Sequence, residues 1–481
     1  ERVRDPVEGR VGSQGWGGSR RRAAAADPGA ARIPGPPSGT MASTPAPGPS
    51  SVPRRRGRVL FFEFAFLFLF LPVVLAVDRL LPARTRNLWL LLASLAFYCA
   101  QSLPFLPILL LSIAVDFTAG RRIGASERPR VRRRWLALSL VTNLGLLAGF
   151  KYIGLVTETL RSLTGELVPV IGATLPIGIS FYTFQSMSYT IDVYRRQTEP
   201  ARSLVDFATY VSLFPQLIAG PIVRFAHIRA ALAANRRSSA EDFSRGIVFL
   251  SLGLFKKLVL ADGFAEIADP AFARGGVGLV DAWVSVVLYA GQIYFDFSGY
   301  SDMAIGLGAM LGFSFPVNFD APYQARSFSD FWRRWHITLS TWLRDYLYVP
   351  LGGNRKGTAR TYVNLLLTML LGGLWHGASW SFVVWGGLHG ALLALERALR
   401  GRGPSLPVVI RIPLVFAAVC FAWVPFRLDT LDATAAWWRA MVGLEGLGEV
   451  APIALATAAF ALVTFFLPKR TLRFTPEPTR L

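Results

Sequence analysis

Cysteine is almost missing from this chain. Only Cys99 and Cys420 occur among 481 residues, both inside apolar stretches. Neither a disulfide framework nor a thiolate metal site can be assembled from them, and both read as small core residues. Charge is scarce as well: Asp, Glu, Lys and Arg together make up 17% of the chain, against 52% for the apolar set. A soluble globule of that balance would be coated in greasy surface, so a bilayer is the natural solvent. Acid is scarcer than base, 30 residues against 51, for a formal charge of +21. In a soluble chain that excess would suggest nucleic acid. Here the arginines gather in the leader and between apolar runs, where positive charge fixes membrane orientation, and nucleic-acid binding is set aside.

Catalytic signatures are missing too. Gly-x-Ser-x-Gly, a phosphate loop, the Rossmann glycine pattern and His-Glu-x-x-His are all absent, which removes the common hydrolase, NTPase, dinucleotide and zinc-peptidase readings. No internal repeat or two-fold duplication of the kind many transporters carry is visible.

What is present is apolar sequence in long runs. A span needs roughly 20 mostly apolar residues. Residues 59–81, 135–150, 408–426 and 450–468 meet or approach that, and 88–120 is long enough for a hairpin of two spans. The expectation is an all-α polytopic membrane protein with about ten or more embedded helices. Residues 1–58 are Gly, Pro, Ala, Ser and Arg with little to bury, and are expected to be disordered. The chain starts at Glu1 and its first methionine is Met41, so part of this leader is expected to reflect an over-extended gene start. Residues 59–470 read as the membrane domain and 471–481 as a short tail.

Arginines at 79, 84 and 86, and seven more between Arg121 and Arg134, follow the first span and the hairpin. Both clusters are expected on the cytoplasmic side, although Arg54, Arg55, Arg56 and Arg58 argue for the reverse. Between 168 and 321 the apolar runs shorten and are broken by Gly and Pro, as in Phe214-Pro-Gln-Leu-Ile-Ala-Gly-Pro-Ile-Val-Arg224. Irregular backbone at membrane depth is tolerated only where protein or a wet cavity satisfies it, so this region reads as the wall of an internal chamber.

Three of the four histidines, His336, His376 and His389, fall within 336–389. An ionisable residue in a membrane segment is costly and is a functional hypothesis by default. His336 lies in a segment, 327–350, too polar to span and too apolar for a free loop. It reads as an interfacial or cavity-lining helix capped by Ser327 or Ser329, with Trp332, His336 and Ser340 on one face. His376 sits among glycines and tryptophans in Leu371-Gly-Gly-Leu-Trp-His-Gly-Ala-Ser-Trp380. A desolvated imidazole stays neutral near pH 7 and can accept a proton from a hydroxyl, so His376 is the candidate general base. Packing inside a helix bend remains the alternative for it, and satisfying a buried carbonyl the alternative for His336. His389, thirteen residues beyond His376, reads as a supporting group on the same helical face, and His227 as a solvent-exposed loop residue. Metal binding is set aside for want of a ligand spacing. Asp192, Asp296 and Asp302 read first as partners for cations such as Lys256 and Lys257.

At these residues the sequence resembles a known family. The blocks Phe214 to Arg224, Tyr294-Phe-Asp-Phe-Ser-Gly-Tyr-Ser-Asp-Met-Ala-Ile305, Phe331-Trp-Arg-Arg-Trp-His-Ile-Thr-Leu-Ser-Thr-Trp-Leu-Arg-Asp-Tyr346 and Gly373-Leu-Trp-His-Gly377 are similar, in order, to the membrane-bound O-acyltransferases. The branch most similar contains the membrane subunit of alginate O-acetyltransferase. The resemblance covers about residues 59–470 and departs from the family at the leader. It implies helices ringing a thinned centre with a tunnel, His376 and His336 as the active-site pair, and acetyl-CoA as cytoplasmic donor with no bound cofactor. It further implies a polysaccharide acceptor outside, a separate extracytoplasmic acyltransferase as partner, and a bacterial cytoplasmic membrane as location. D-alanyl transfer to teichoic acid, a glycan or lipid transporter and a non-catalytic scaffold are the competing readings.

Deleting residues 1–40 is expected to leave the protein in the membrane fraction, because that segment has no apolar periodicity to contribute a span. Loss of the truncated chain from membranes would contradict this.

Overall fold

The computed structural model describes residues 61–402 and 406–467; the expected leader over 1–58 and tail over 471–481 lie outside them. Among the described residues every regular element is helical. The first run opens with a π-helical turn, Phe66–Phe70, and continues as α1 (Leu71–Leu80); Pro72, which has no N–H to give, follows directly on that π-helical turn. The next run is broken around Pro104 into α2 (Arg86–Ser102) and α3 (Leu106–Ala125), the expected pair. Helix α4 (Pro129–Lys151) meets α5 (Ile153–Thr164) at a 56° bend. The stretch broken by Gly and Pro holds α6 (Ile179–Tyr194), α7 (Leu204–Ser212), the single turn α8 (Phe214–Leu217) and α9 (Phe225–Ala233). Then follow α10 (Ala240–Phe255), started by a Ser239/Asp242 capping box, α11 (Asp262–Arg274) and the long α12 (Leu279–Met310). The remaining helices are α13 (Phe328–Arg334), α14 (Ile337–Leu343), α15 (Thr358–His376), α16 (Trp380–Leu399), α17 (Val408–Arg427), α18 (Leu431–Met441) and α19 (Pro452–Phe466).

Three helical runs are long and apolar enough to cross a bilayer by length and composition, Ala83–Ala125, Trp380–Leu399 and Val408–Arg427, and the bent α4–α5 pair makes a fourth. Other helices fall short of a full span because they are short or carry polar groups inward. Helix α6 is buried along most of its length and yet holds Thr183, Gln185, Ser186, Ser188, Thr190 and Asp192. Lipid tails are as apolar as leucine, so association in a bilayer leans on polar links and close backbone approach. Asp116 on α3 accepts from Ser139 Oγ at 2.6 Å and Asn143 Nδ2 at 2.8 Å on α4, and Ser139 continues to Thr190 Oγ1 on α6 at 2.9 Å. Close approach comes from Gly253 and Gly299, which bring α10 and α12 together so tightly that a Cβ on either would meet the other's carbonyl.

Acids within the helices find partners as expected: Lys256 pairs with Asp302 at 2.5 Å and Lys257 with Asp296 at 2.6 Å. Asp192 instead takes the Tyr346 hydroxyl at 2.8 Å.

The apolar interior divides along α12. Its C-terminal half, packed on α10, belongs to one cluster that also takes in residues of α1, α2, α3, α6 and α7, and its N-terminal half to a second with α11, α17, α18 and α19. Between α6, α14 and α15 lies a smaller cluster of Phe184, Met187, Ile222, Leu339, Trp342, Leu343, Tyr346 and Trp375. There Trp342 stacks on Phe184 at 3.7 Å and donates its indole N–H to the Phe184 carbonyl at 3.0 Å.

The arginine clusters meet on one face. Arg79 reaches Ser238 at 2.8 Å, Asn87 reaches Asp206 at 2.8 Å, Arg121 reaches the Arg202 carbonyl at 3.2 Å, and Arg132 holds the Tyr194 carbonyl at 2.7 Å. The positive-inside tendency leads to the expectation that this face is cytoplasmic. A cysteine introduced at the exposed Ala125 is therefore expected to resist an impermeant thiol reagent applied outside intact cells and to react after permeabilisation; rapid labelling from outside would invert the orientation.

Candidate functional site

Two helix ends inside the molecule carry the candidate histidines. The segment around His336 is not the single helix expected. Ser327 caps α13 through the Asp330 amide at 3.1 Å, but the helix stops at Arg334, and His336 adopts a left-handed conformation, φ 42° and ψ 56°. Trp332 and His336 therefore do not share a helical face. The cause is Asn318, in the extended chain after α12. Its carbonyl accepts from the Ile337 amide at 2.9 Å, and its side-chain oxygen accepts from the Thr338 amide at 3.2 Å and the Thr338 hydroxyl at 2.9 Å. The first amides of α14 thus find acceptors outside the preceding turn, and the helix restarts instead of continuing. A left-handed non-glycine residue persists only where its surroundings over-determine it.

The same Asn318 oxygen lies 3.1 Å from His336 Nδ1, while its Nδ2 donates to Ser301 Oγ on α12 at 3.0 Å. Thr338 Oγ1 in turn accepts from the Ile222 amide at 2.9 Å. Parts of three sequence blocks, around Ile222, Ser301 and His336, are joined through this one amide. His336 is completely buried.

His376 is the last residue of α15 and is half-buried. Its ring makes no hydrogen bond to the described residues, and it is walled by Trp375, Trp385 and Phe426 at centroid distances of 5.0, 5.1 and 5.2 Å. Gly373 allows that arrangement: α15 runs against Phe382 and Gly386 of α16 so closely that a Cβ would collide with their backbone. The carbonyls at this helix end need donors. Lys151, at the α4–α5 bend, donates to the Trp375 carbonyl and to Ser180 Oγ at 3.3 Å, and the Tyr152 hydroxyl donates to the Leu374 carbonyl at 2.8 Å. The His336 and His376 rings lie 6.5 Å apart.

His389 is on α16 rather than on the helix of His376, since the chain turns between them. Both rings pack on Trp385, His389 at 4.9 Å. It is buried between Trp332 and Trp385, edge-on to both, and neither ring nitrogen has a hydrogen-bond partner among the described residues. N–H to ring-face contacts suit that geometry. His227 is exposed, on α9 rather than in a loop. Among the described residues no three His, Cys, Asp or Glu side chains come together as a metal site.

Sequence reasoning missed Asn318 and Lys151. Lys151 had a signal, a lone cation ending the apolar run 135–150, which marks a group that must find a partner. Asn318 had only its place, a single amide in the extended stretch between two motif blocks.

Residues 170–408 match the profile of the membrane-bound O-acyltransferase family. Over 397 residues the chain is 47% identical to a "Probable alginate O-acetylase AlgI" of Azotobacter vinelandii, covering 81% of this chain and 79% of that protein. It is 37% identical to a "Peptidoglycan O-acetyltransferase" of Helicobacter pylori, covering 81% of each. A "Teichoic acid D-alanyltransferase" of Streptococcus thermophilus is 29% identical across 46% of this chain and 57% of its own length.

The docking of α15 gives a direct expectation. Lys151→Met removes a hydrogen bond from a charged donor to the helix end, worth about 1.5–3 kcal/mol, and Tyr152→Phe removes one from a neutral donor, worth about 0.5–1.5 kcal/mol. Thermal unfolding in detergent should rank wild type above Tyr152→Phe above Lys151→Met; equal midpoints would show that the helix end does not depend on these donors.

Proposed function

We infer the reaction from one premise: the chain belongs to the membrane-bound O-acyltransferase family. It is a membrane-embedded acyltransferase, and the reading its site supports best is O-acetylation of an extracytoplasmic polysaccharide. Acetyl-CoA is the donor, used as a substrate rather than held as a resident cofactor, and it approaches from the arginine-rich face. The acceptor is a hydroxyl reached from the other side, on an alginate-like or other exopolysaccharide or cell-wall glycan. The protein works in the bacterial cytoplasmic membrane, and where a separate acyltransferase outside completes the transfer, the hydroxyl acetylated at this site belongs to that partner, which then passes the acetyl to the glycan. Relatives named as O-acetylating enzymes align over most of this chain, whereas the D-alanyl-transferring relative aligns over less than half, which favours acetyl over D-alanyl.

The observation that carries this reading is the pairing of a partly buried His376, without a hydrogen-bond partner among the described residues, with a fully buried His336 at 6.5 Å. His376 is the imidazole a substrate can touch. Its free ring nitrogen takes the hydroxyl proton as the oxygen attacks the thioester carbonyl. When the tetrahedral intermediate collapses, the carbon–sulfur bond breaks and the proton passes to the departing thiolate, so no proton is gained or lost overall. Trp375, Trp385 and Phe426 exclude water that would otherwise compete for the acetyl group.

His376→Ala is expected to abolish acetyl transfer with the protein still present in membranes, and His376→Gln to fail as well. Losing a positioned base typically forfeits about 10²- to 10⁴-fold in rate, and Gln cannot take up a proton at pH 7. His336→Asn should be milder than His336→Ala, because a polar group is retained. Acetylation of the exported glycan, normalised to membrane abundance, is the readout. Near-native transfer by His376→Gln would make this histidine structural.

A further inference from the structure

The contact between Asn318 and His336 decides which nitrogen of His336 carries its proton. Thr338 presents a backbone N–H to the same Asn318 atom at 3.2 Å, and a backbone N–H only donates, so that atom is the amide oxygen. An amide oxygen 3.1 Å from Nδ1 makes Nδ1 the protonated nitrogen of the neutral ring and leaves the lone pair on Nε2. Nε2 is buried and has no hydrogen-bond partner among the described residues.

The rings around His336 are Phe297, Phe319, Trp375 and His376. His376 is the one ionisable side chain among these ring and hydrogen-bond neighbours. A centroid spacing of 6.5 Å is too wide for a direct N–H to N bond and fits one water between the rings.

We propose that Asn318 is a positioning residue for acetyl transfer: it locks His336 in the Nδ1–H form, so that Nε2 accepts, through a bridging water, the N–H of His376 and turns the remaining lone pair of His376 towards the substrate hydroxyl. This rests on the reading of His376 as the base. Asn318 and His336 break and form no covalent bonds. The hydroxyl proton moves to His376 and then to the thiolate, while the oriented pair keeps His376 in the tautomer able to receive it. The arrangement follows the logic in which a base is itself oriented by a third group, here an amide and a second imidazole in series. A second feature agrees. His336 is held at φ 42°, and the residue holding it is Asn318, through its main-chain carbonyl as well as its side chain.

The test compares Asn318→Leu, which keeps the approximate size and loses the acceptor, with Asn318→Asp, which keeps an acceptor oxygen at the same place. Full-length protein in proteoliposomes is assayed for thiol release from acetyl-CoA. Positioning predicts that Asn318→Leu lowers kcat by about 10- to 100-fold with KM for acetyl-CoA unchanged, a loss typical of removing an orienting partner, and that Asn318→Asp rescues most of the rate. A packing role predicts the reverse order, because an unpaired carboxylate is costlier to bury than a leucine. Leu matching or exceeding Asp in rate per molecule overturns the proposal. Should Asn318→Leu fail to reach the membrane, Asn318→Asp decides alone: a near-native kcat supports the proposal and a large fall overturns it. His336→Ala and His376→Ala run alongside. Wild-type thiol release from both sinks the acetyl-transfer reading itself, whereas loss in both with wild-type behaviour in the two Asn318 variants sinks only the positioning role.

Discussion

Backbone amides and carbonyls buried at membrane depth must find partners within the protein, and at the centre of this molecule two helix ends depend on side chains from elsewhere to do so. The first amides of α14 find Asn318, and the last carbonyls of α15 find Lys151 and Tyr152. Each of those ends carries a histidine. The satisfaction of helix ends and the placement of the two imidazoles are therefore one problem with one solution: the donors and acceptors that make the interruptions tolerable also aim the rings.

Aromatic packing supplies the rest of the enclosure. Trp385 touches His376 on one side and His389 on the other, and Phe184, Trp342 and Trp375 form a stacked wall beside the pair. Large rings suit this position because they exclude water over a wide area and keep few rotamers, so the walls stay where the chemistry needs them. Glycines at Gly373 and Gly386 let α15 and α16 close on one another, which brings Trp385 within reach of His376. His389 adds no hydrogen bond here; edge-on to two indoles, it completes the box behind His376.

Much of this was legible in the sequence, for identifiable reasons. Apolar run length gave the helical class and the spans at 83–125 and 408–427, and the rarity of histidine singled out His336 and His376. Periodicity misled at His336, where a helical pattern over 327–350 was expected to continue and does not. The interruption comes from a residue nine positions upstream of the segment, Asn318, and local pattern carries no trace of a cap supplied from outside. The same limit applies to His389, placed on the face of His376 by counting turns through a stretch where the chain reverses at Gly377 to Ser379. Lys151 was missed although it stands as a lone cation ending an apolar run, because its partner, a helix end more than two hundred residues away, leaves no mark in the local sequence.

The central claim is that His376 is the imidazole open to substrate while His336 and His389 are sealed behind it. With four histidines in the chain, modification by diethyl pyrocarbonate read peptide by peptide in a mass spectrometer measures that directly. On membranes, His227 and His376 should be modified, with activity lost in step with His376, while His336 and His389 stay protected until the protein unfolds. Modification of His336 as fast as His376, or full protection of His376, would contradict the account.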